Sequence, residues 1–220
     1  MIPCPLCNHQ AQFFLQDKKR AFYVCPHCGL VMADPKSHIR PSIEIQRYGR
    51  AQKGAKQRQL SQFLMPLLAQ INLQQSGTLS GLNFGRVLDA QCLQSINEAG
   101  HSVKQYDPFF AADHSVLQTT YDFVCSYKVF EHFRHPNKEW QLFSRLVKPG
   151  GWLAISTPLM TDLRHFNKWH YKNNPTHVSF YQRQTFEYLT ENSEFTLLFV
   201  SQALILMQKS SGSGIKRILI

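Results

Sequence analysis

The 220-residue sequence predicts an α/β protein, a mostly parallel sheet flanked by helices and preceded by a small metal-held module. Three observations carry this. Beyond residue 80, short apolar strand-like runs alternate with amphipathic helical ones. The run "YDFVCSY" (121–127) is apolar almost throughout, as a strand buried on both faces must be. The first 30 residues contain two Cys-x-x-Cys pairs separated by a stretch that reads as a hairpin. With 43% hydrophobic and 12% aromatic content, one well-buried core plus an appendage is expected.

Taken in order, "CPLC" and "CPHC" form two knuckles, and the strands "QAQFFLQ" and "AFYVC" bring them together. Cys4, Cys7, Cys25 and Cys28 then present four thiolates to one Zn²⁺ in a closed structural site, a zinc ribbon over residues 1–33. His9 and His27 lie beside a shell that four cysteines already complete. Residues 34–58, with two prolines, two glycines and little apolar periodicity, read as a connector. Leu60, Phe63, Leu64, Leu67, Leu68 and Ile71 follow at helical spacing, with Pro66 expected to kink the stripe.

The main domain, 59–209, continues as strand "GLNFG", helix "QCLQSINEAG", strand "HSVKQYD", strand "YDFVCSY", helix "PNKEWQLFSRLVKPGG", strand "WLAIST", helix "QRQTFEYLTEN" and a closing antiparallel pair, leaving residues 210–220 as a tail. This is a Rossmann-like order, and such sheets bind ligands at the carboxyl ends of their strands. The site is therefore expected after Phe84, Tyr106, Ser126 and Ser156.

Seven of the ten formal positive charges fall in residues 1–60, where ten Lys/Arg face three acids. That favours an anionic partner near the module, RNA or an acidic protein surface, although four thiolates on one Zn²⁺ would offset part of the charge. No run of eighteen apolar residues and no signal-peptide order at the N-terminus are present, so no membrane partner and a cytoplasmic, thiol-reducing location are expected.

The pieces "CPLC", "CPHC", "GLNFG", "EAGHSVKQYDPFF", "YDFVCSYKVFEHF", "RLVKPGGWLAIST" and "WHYKNNPTHVSFYQRQTF" together resemble class I S-adenosylmethionine-dependent methyltransferases, in particular a bacterial subgroup with an N-terminal four-cysteine zinc module. The resemblance implies S-adenosylmethionine as cofactor and a small-molecule or sugar-like methyl acceptor. Gly85 would let the backbone approach the cofactor, Asp107 would hold its ribose, Pro108 and Phe109 would wall its adenine, and Ser126 would lie near its methionine end. Glu131 and His132 would face the substrate.

In "FNKWHYKNNPTHVSFY", Trp169, Tyr171 and Tyr181 supply aromatic walls for an acceptor, and His170 or His177 could remove its proton, since imidazole titrates near neutrality. The glycine-rich turn of the family departs here. In the preferred register Gly85-Arg86-Val87-Leu88-Asp89 keeps only its first glycine; the competing register matches "RVLDAQCLQS" and shortens the next helix. The connector keeps Tyr48 but lacks the polar residues that the subgroup places after it. Val87 is expected to tolerate neither close approach nor φ > 0 and to project toward the methionine moiety. Two alternatives follow: a catalytically inactive methyltransferase fold kept as a binding or scaffold protein, and an RNA methyltransferase guided by the basic N-terminal region.

Overall fold

In the N-terminal module, β1 (Ile2–Pro3), β2 (Gln10–Gln16), β3 (Ala21–Val24) and β4 (Val31–Ala33) pair antiparallel in sequence order. The two cysteine knuckles are built alike. Cys4 N–H bonds His9 O and Asn8 N–H bonds Cys4 O; Cys25 N–H bonds Leu30 O and Gly29 N–H bonds Cys25 O. Asn8 and Gly29 both take left-handed φ values, +63° and +72°, which Asn and Gly tolerate best. The computed structural model describes residues 1–51, 63–64, 67–71 and 77–212, so Pro66 and most of the tail lie outside it.

The connector is not irregular. A short 3-10 turn (Pro35–Ser37) leads to helix α1 (Pro41–Ala51), which buries Glu44. Of its described side chains only Glu44 is buried, so no apolar period marks the helix in the sequence.

The main sheet contains β5 (Ser80–Phe84), β6 (Ser102–Tyr106), β7 (Tyr121–Tyr127), β8 (Val147–Ser156), β10 (Phe195–Val200) and β11 (Leu204–Lys209). Its six strands run in the order β10-β11-β8-β7-β5-β6, with β8, β7, β5 and β6 parallel and the β10/β11 hairpin antiparallel at one edge. Helices α2 (Ala90–Glu98), α3 (Pro136–Leu146) and α4 (Arg183–Glu191) form the crossovers. Asp89 caps α2 by accepting from Cys92 N–H at 2.7 Å, and Pro136 opens α3 where no backbone donor is needed. One sheet face packs Phe84, Val124, Phe143 and Leu153; the other packs Leu64, Leu68, Ile71, Ile96, Phe123 and Trp152. Burial on both faces explains the continuous apolar run of β7.

The module and the main domain share structure. β9 (Ser179–Phe180), which follows the aromatic loop, pairs antiparallel with β4, so the module's sheet has five strands. Cys4, Leu6, Cys25, Cys28 and Leu30 belong to the same apolar cluster as Phe130, Tyr181 and Phe186. Thirty residues cannot enclose a core alone, and here they borrow one.

Candidate active site

β5 has β6 on one side and β7 on the other, both parallel, so the sheet's crevice opens beyond the carboxyl ends of these strands. A cavity of about 400 Å³ lies there, lined by Phe84, Gly85, Tyr106, Asp107, Phe109 and Val129 among others. Asp107 is fully buried. Its Oδ1 accepts from Phe109 N–H at 2.8 Å and Phe110 N–H at 3.0 Å, while its Oδ2, also buried, has no hydrogen-bond partner among the described residues. Gly85 takes φ +110° and donates to Tyr106 O at 2.7 Å; a Cβ there would stand 2.2 Å from Val129 Cγ2. Pro108, exposed, lines the rim. Ser126 is buried in β7 but does not line this cavity.

The turn after Gly85 departs from the sequence expectation. Neither Arg86, Val87 nor Leu88 has positive φ, and none of the three lines the Asp107 cavity. Leu88 packs into the cluster on the opposite sheet face, and the Arg86 carbonyl is held by Asn83 Nδ2 at 2.6 Å. Val87 therefore does not need the conformational freedom its position was expected to demand.

A second cavity, of about 750 Å³, adjoins the first and shares Glu44 and His132 with it. Arg86, Lys128, Glu131, Tyr171 and His177 line it. Glu131, only 2% exposed, accepts from Thr157 Oγ1 at 3.0 Å and from the Tyr171 hydroxyl. His177 Nδ1 donates to the Tyr171 carbonyl at 2.9 Å, which fixes the tautomer, and Nε2 accepts from Asn174 Nδ2 at 3.0 Å. Burial, joined by the charges of His132, Arg20 and Arg86, lowers the His177 pKa to about 3. Glu131, His132 and His177 bring candidate ligand atoms within 4.8 Å of one another, but the Glu131 and His177 atoms already have protein partners. His132 Nδ1 stands 3.7 Å from Glu44 Oε1, and Glu44 also pairs with Arg134 at 2.8 Å. Burial would raise the Glu44 pKa, but His132 and Arg134 outweigh it and hold the carboxyl below its ordinary range.

The aromatic loop divides. Tyr171 and His177, rings 4.2 Å apart, face the second cavity. Trp169 packs on Phe166, Tyr171 and Phe180. Tyr181 is buried in the shared core with its hydroxyl on Phe130 O at 3.2 Å, and His170 is exposed; neither lines the cavity. Tyr181 reads as polar-aromatic in sequence, but β9 carries it inward.

What fixes this loop is the module, through residues that sequence reasoning missed. Arg20, in the β2–β3 turn, donates from Nη1 to the His177 carbonyl at 2.8 Å and from Nη2 to the Lys172 carbonyl. Lys172, buried, pairs with Asp17 at 2.7 Å. These partners lie more than 150 residues apart, so no local pattern signals them.

At the module's tip, Cys4 and Cys28 Sγ are 3.6 Å apart, Cys7 and Cys25 Sγ 3.4 Å, and all four lie within 4.8 Å of one another. A disulfide would need about 2 Å. Four thiolates about 2.3 Å from one tetrahedral Zn²⁺ would stand roughly 3.8 Å apart, so the residues fit that ion. His9 and His27 stack on each other at 3.7 Å beside this cluster.

A family model described as "Methyltransferase domain" matches residues 56–199. No curated protein matches the chain. Among solved structures, a 1,6-didemethyltoxoflavin-N1-methyltransferase from Burkholderia thailandensis, determined with 1,6-didemethyltoxoflavin and S-adenosylhomocysteine bound, is 13% identical with a TM-score of 0.51, over 92% of this chain and 100% of that one. An O-methyltransferase family protein from the same organism is 12% identical with a TM-score of 0.53, over 80% of this chain and 64% of its own. At these identities the likeness is one of fold.

Proposed function

Because the chain belongs to the methyltransferase-domain family, whose model spans residues 56–199, we propose that it transfers the methyl group of S-adenosylmethionine to a small polar acceptor seated in the larger cavity. The buried, half-satisfied Asp107 carries this reading. One of its oxygens is used by its own turn and the other, Oδ2, is buried without a donor in the wall of a cavity at the sheet's switch point. A buried acceptor atom without a donor is costly, and the two hydroxyls of a ribose are the donors it lacks. Phe84, Tyr106 and Phe109 give apolar walls for the adenine, and the Cβ-less Gly85 keeps the floor open. The solved fold relative with S-adenosylhomocysteine bound is consistent with this assignment.

When bound, the sulfonium supplies an electrophilic methyl group for in-line displacement. The chain's own contribution is positioning and proton removal. His132 lines both cavities and therefore stands where the acceptor must meet the methyl group, with the Glu44 carboxylate behind its Nδ1 to stabilise an imidazolium. We assign it as the proton acceptor in place of His170 or His177. A neutral His177 with both nitrogens engaged is a poor base, and it serves instead to hold Tyr171 against Glu131. The Cys4, Cys7, Cys25, Cys28 cluster holds a structural Zn²⁺ in this reading, which predicts one zinc per chain by elemental analysis.

Calorimetric titration with S-adenosylhomocysteine tests the proposal. Saturable binding is expected, weakened about tenfold to a hundredfold by Asp107→Ala, the range for a hydrogen bond to a charged group. Absence of binding to the wild-type chain would overturn the enzymatic reading and leave the scaffold role.

A further inference from the structure

We propose that Arg86 and Lys128 recognise an anionic group on the acceptor, a carboxylate or a phosphate, so that the substrate is an acid or a phosphate ester rather than a neutral molecule. This rests on the larger cavity being the acceptor site. Arg86 directly follows the retained glycine of the cofactor turn, yet its side chain is 8% exposed and lines the acceptor cavity instead of the cofactor one. The Asn83 bond to its carbonyl fixes the direction in which it leaves the turn. Tyr171 and His177 line the same cavity.

Lys128 approaches from the end of β7. It holds φ +52°, one of only two left-handed non-glycine residues among those described, and its N–H is tied to Ser156 O at 2.7 Å. Strain of this kind persists where the surroundings enforce it. It places a second cation on the same cavity wall. Arg47 adds a third at the rim. Among the described residues the lining's acids are two, Glu44, which pairs with Arg134, and Glu131, which accepts from Thr157 and Tyr171, against three cations. The balance is positive. A guanidinium fork matches a carboxylate or phosphate with two parallel hydrogen bonds, and partial burial strengthens both. An arginine directly after the turn's one retained glycine then has a substrate-binding purpose.

The test titrates the full chain, kept in zinc-containing buffer, with inorganic phosphate and separately with acetate, followed by calorimetry with and without saturating S-adenosylhomocysteine. Saturable binding of at least one anion is expected, weakened tenfold or more by Arg86→Gln and by Lys128→Gln and unchanged by the surface pair Lys18→Gln/Lys19→Gln. Preference for phosphate or for acetate tells an ester from an acid. Lack of saturable binding of either anion overturns the proposal. So does an Arg86→Gln chain that binds as tightly as wild type; if that variant does not fold, Lys128→Gln alone decides by the same criterion. Asp107→Ala separates this from the cofactor reading, since it is expected to weaken S-adenosylhomocysteine binding tenfold or more while keeping the anion.

Discussion

Asp107, Gly85 and His177 each hold a state that solvent would not choose, and each state has a measurable cost. Asp107→Asn would keep one acceptor oxygen for the Phe109 and Phe110 amides but turn a donor toward the ribose hydroxyls. S-adenosylhomocysteine affinity is expected to fall at least tenfold while the melting temperature changes little. Gly85→Ala adds a Cβ 2.2 Å from Val129 Cγ2 at φ +110°, and a loss of about 1–3 kcal/mol in denaturant unfolding is expected. His177 has a folded pKa of about 3 against an unfolded value near 6.5. Between these values the unfolded chain binds the extra proton, so stability falls as pH drops from about 6.5 toward 3, by up to roughly 1.4 kcal/mol per pH unit for one group. A His177→Gln variant should show a shallower decline than wild type over that window in chemical denaturation.

At the scale of elements, what matters is how the β2–β3 turn grips the loop before β9. Lys172 is 3% exposed, so its ammonium depends on Asp17. Burial would raise the Asp17 pKa, but bonds from Lys172 and from the Lys19 and Arg20 amides outweigh it and lower it to about 2. A depressed carboxyl contributes its stability above the unfolded value near 4 and loses it as pH falls toward 2. Asp17→Asn leaves the buried Lys172 ammonium with only Asn173 Oδ1 at 3.3 Å among the described residues and is expected to lower stability, by less than the roughly 3–5 kcal/mol of a fully buried pair because Asp17 is partly exposed; Asp17→Asn with Lys172→Met should recover most of the loss. The alternation of strands and helices and the four cysteines were legible because each follows a local period or spacing. Asp107 was legible too, as the acid ending the second parallel strand. The Arg20 clamp, Glu44 and the inward turn of Tyr181 were not, because each depends on a pairing between distant segments. Val87 was misjudged because the turn obtains its one left-handed residue from Gly85 and sends Arg86 elsewhere.

For the molecule as a whole, the module and the aromatic loop before β9 form one mechanical unit through the β4–β9 pairing, the Arg20 bonds and a common apolar cluster. On the proposed zinc assignment, a chelator should therefore lower the melting temperature and release more than residues 1–33. Hydrogen exchange is expected to accelerate in residues 170–181 together with 1–33, while β5 and β7 stay protected; fast exchange confined to 1–33 would show that the two parts are independent. Among the described residues no helix is long and apolar enough to cross a membrane.

The pairing of Val31 with Phe180 and Met32 with Ser179 also dictates where the polypeptide can be cut. A chain shortened to start at residue 34 would strip the neighbour from a strand edge and bare Phe130, Tyr181 and Phe186 to water. Such a fragment should clump rather than survive as a smaller folded protein, which makes the N-terminal module an inseparable wall of the methyltransferase domain and not a detachable accessory.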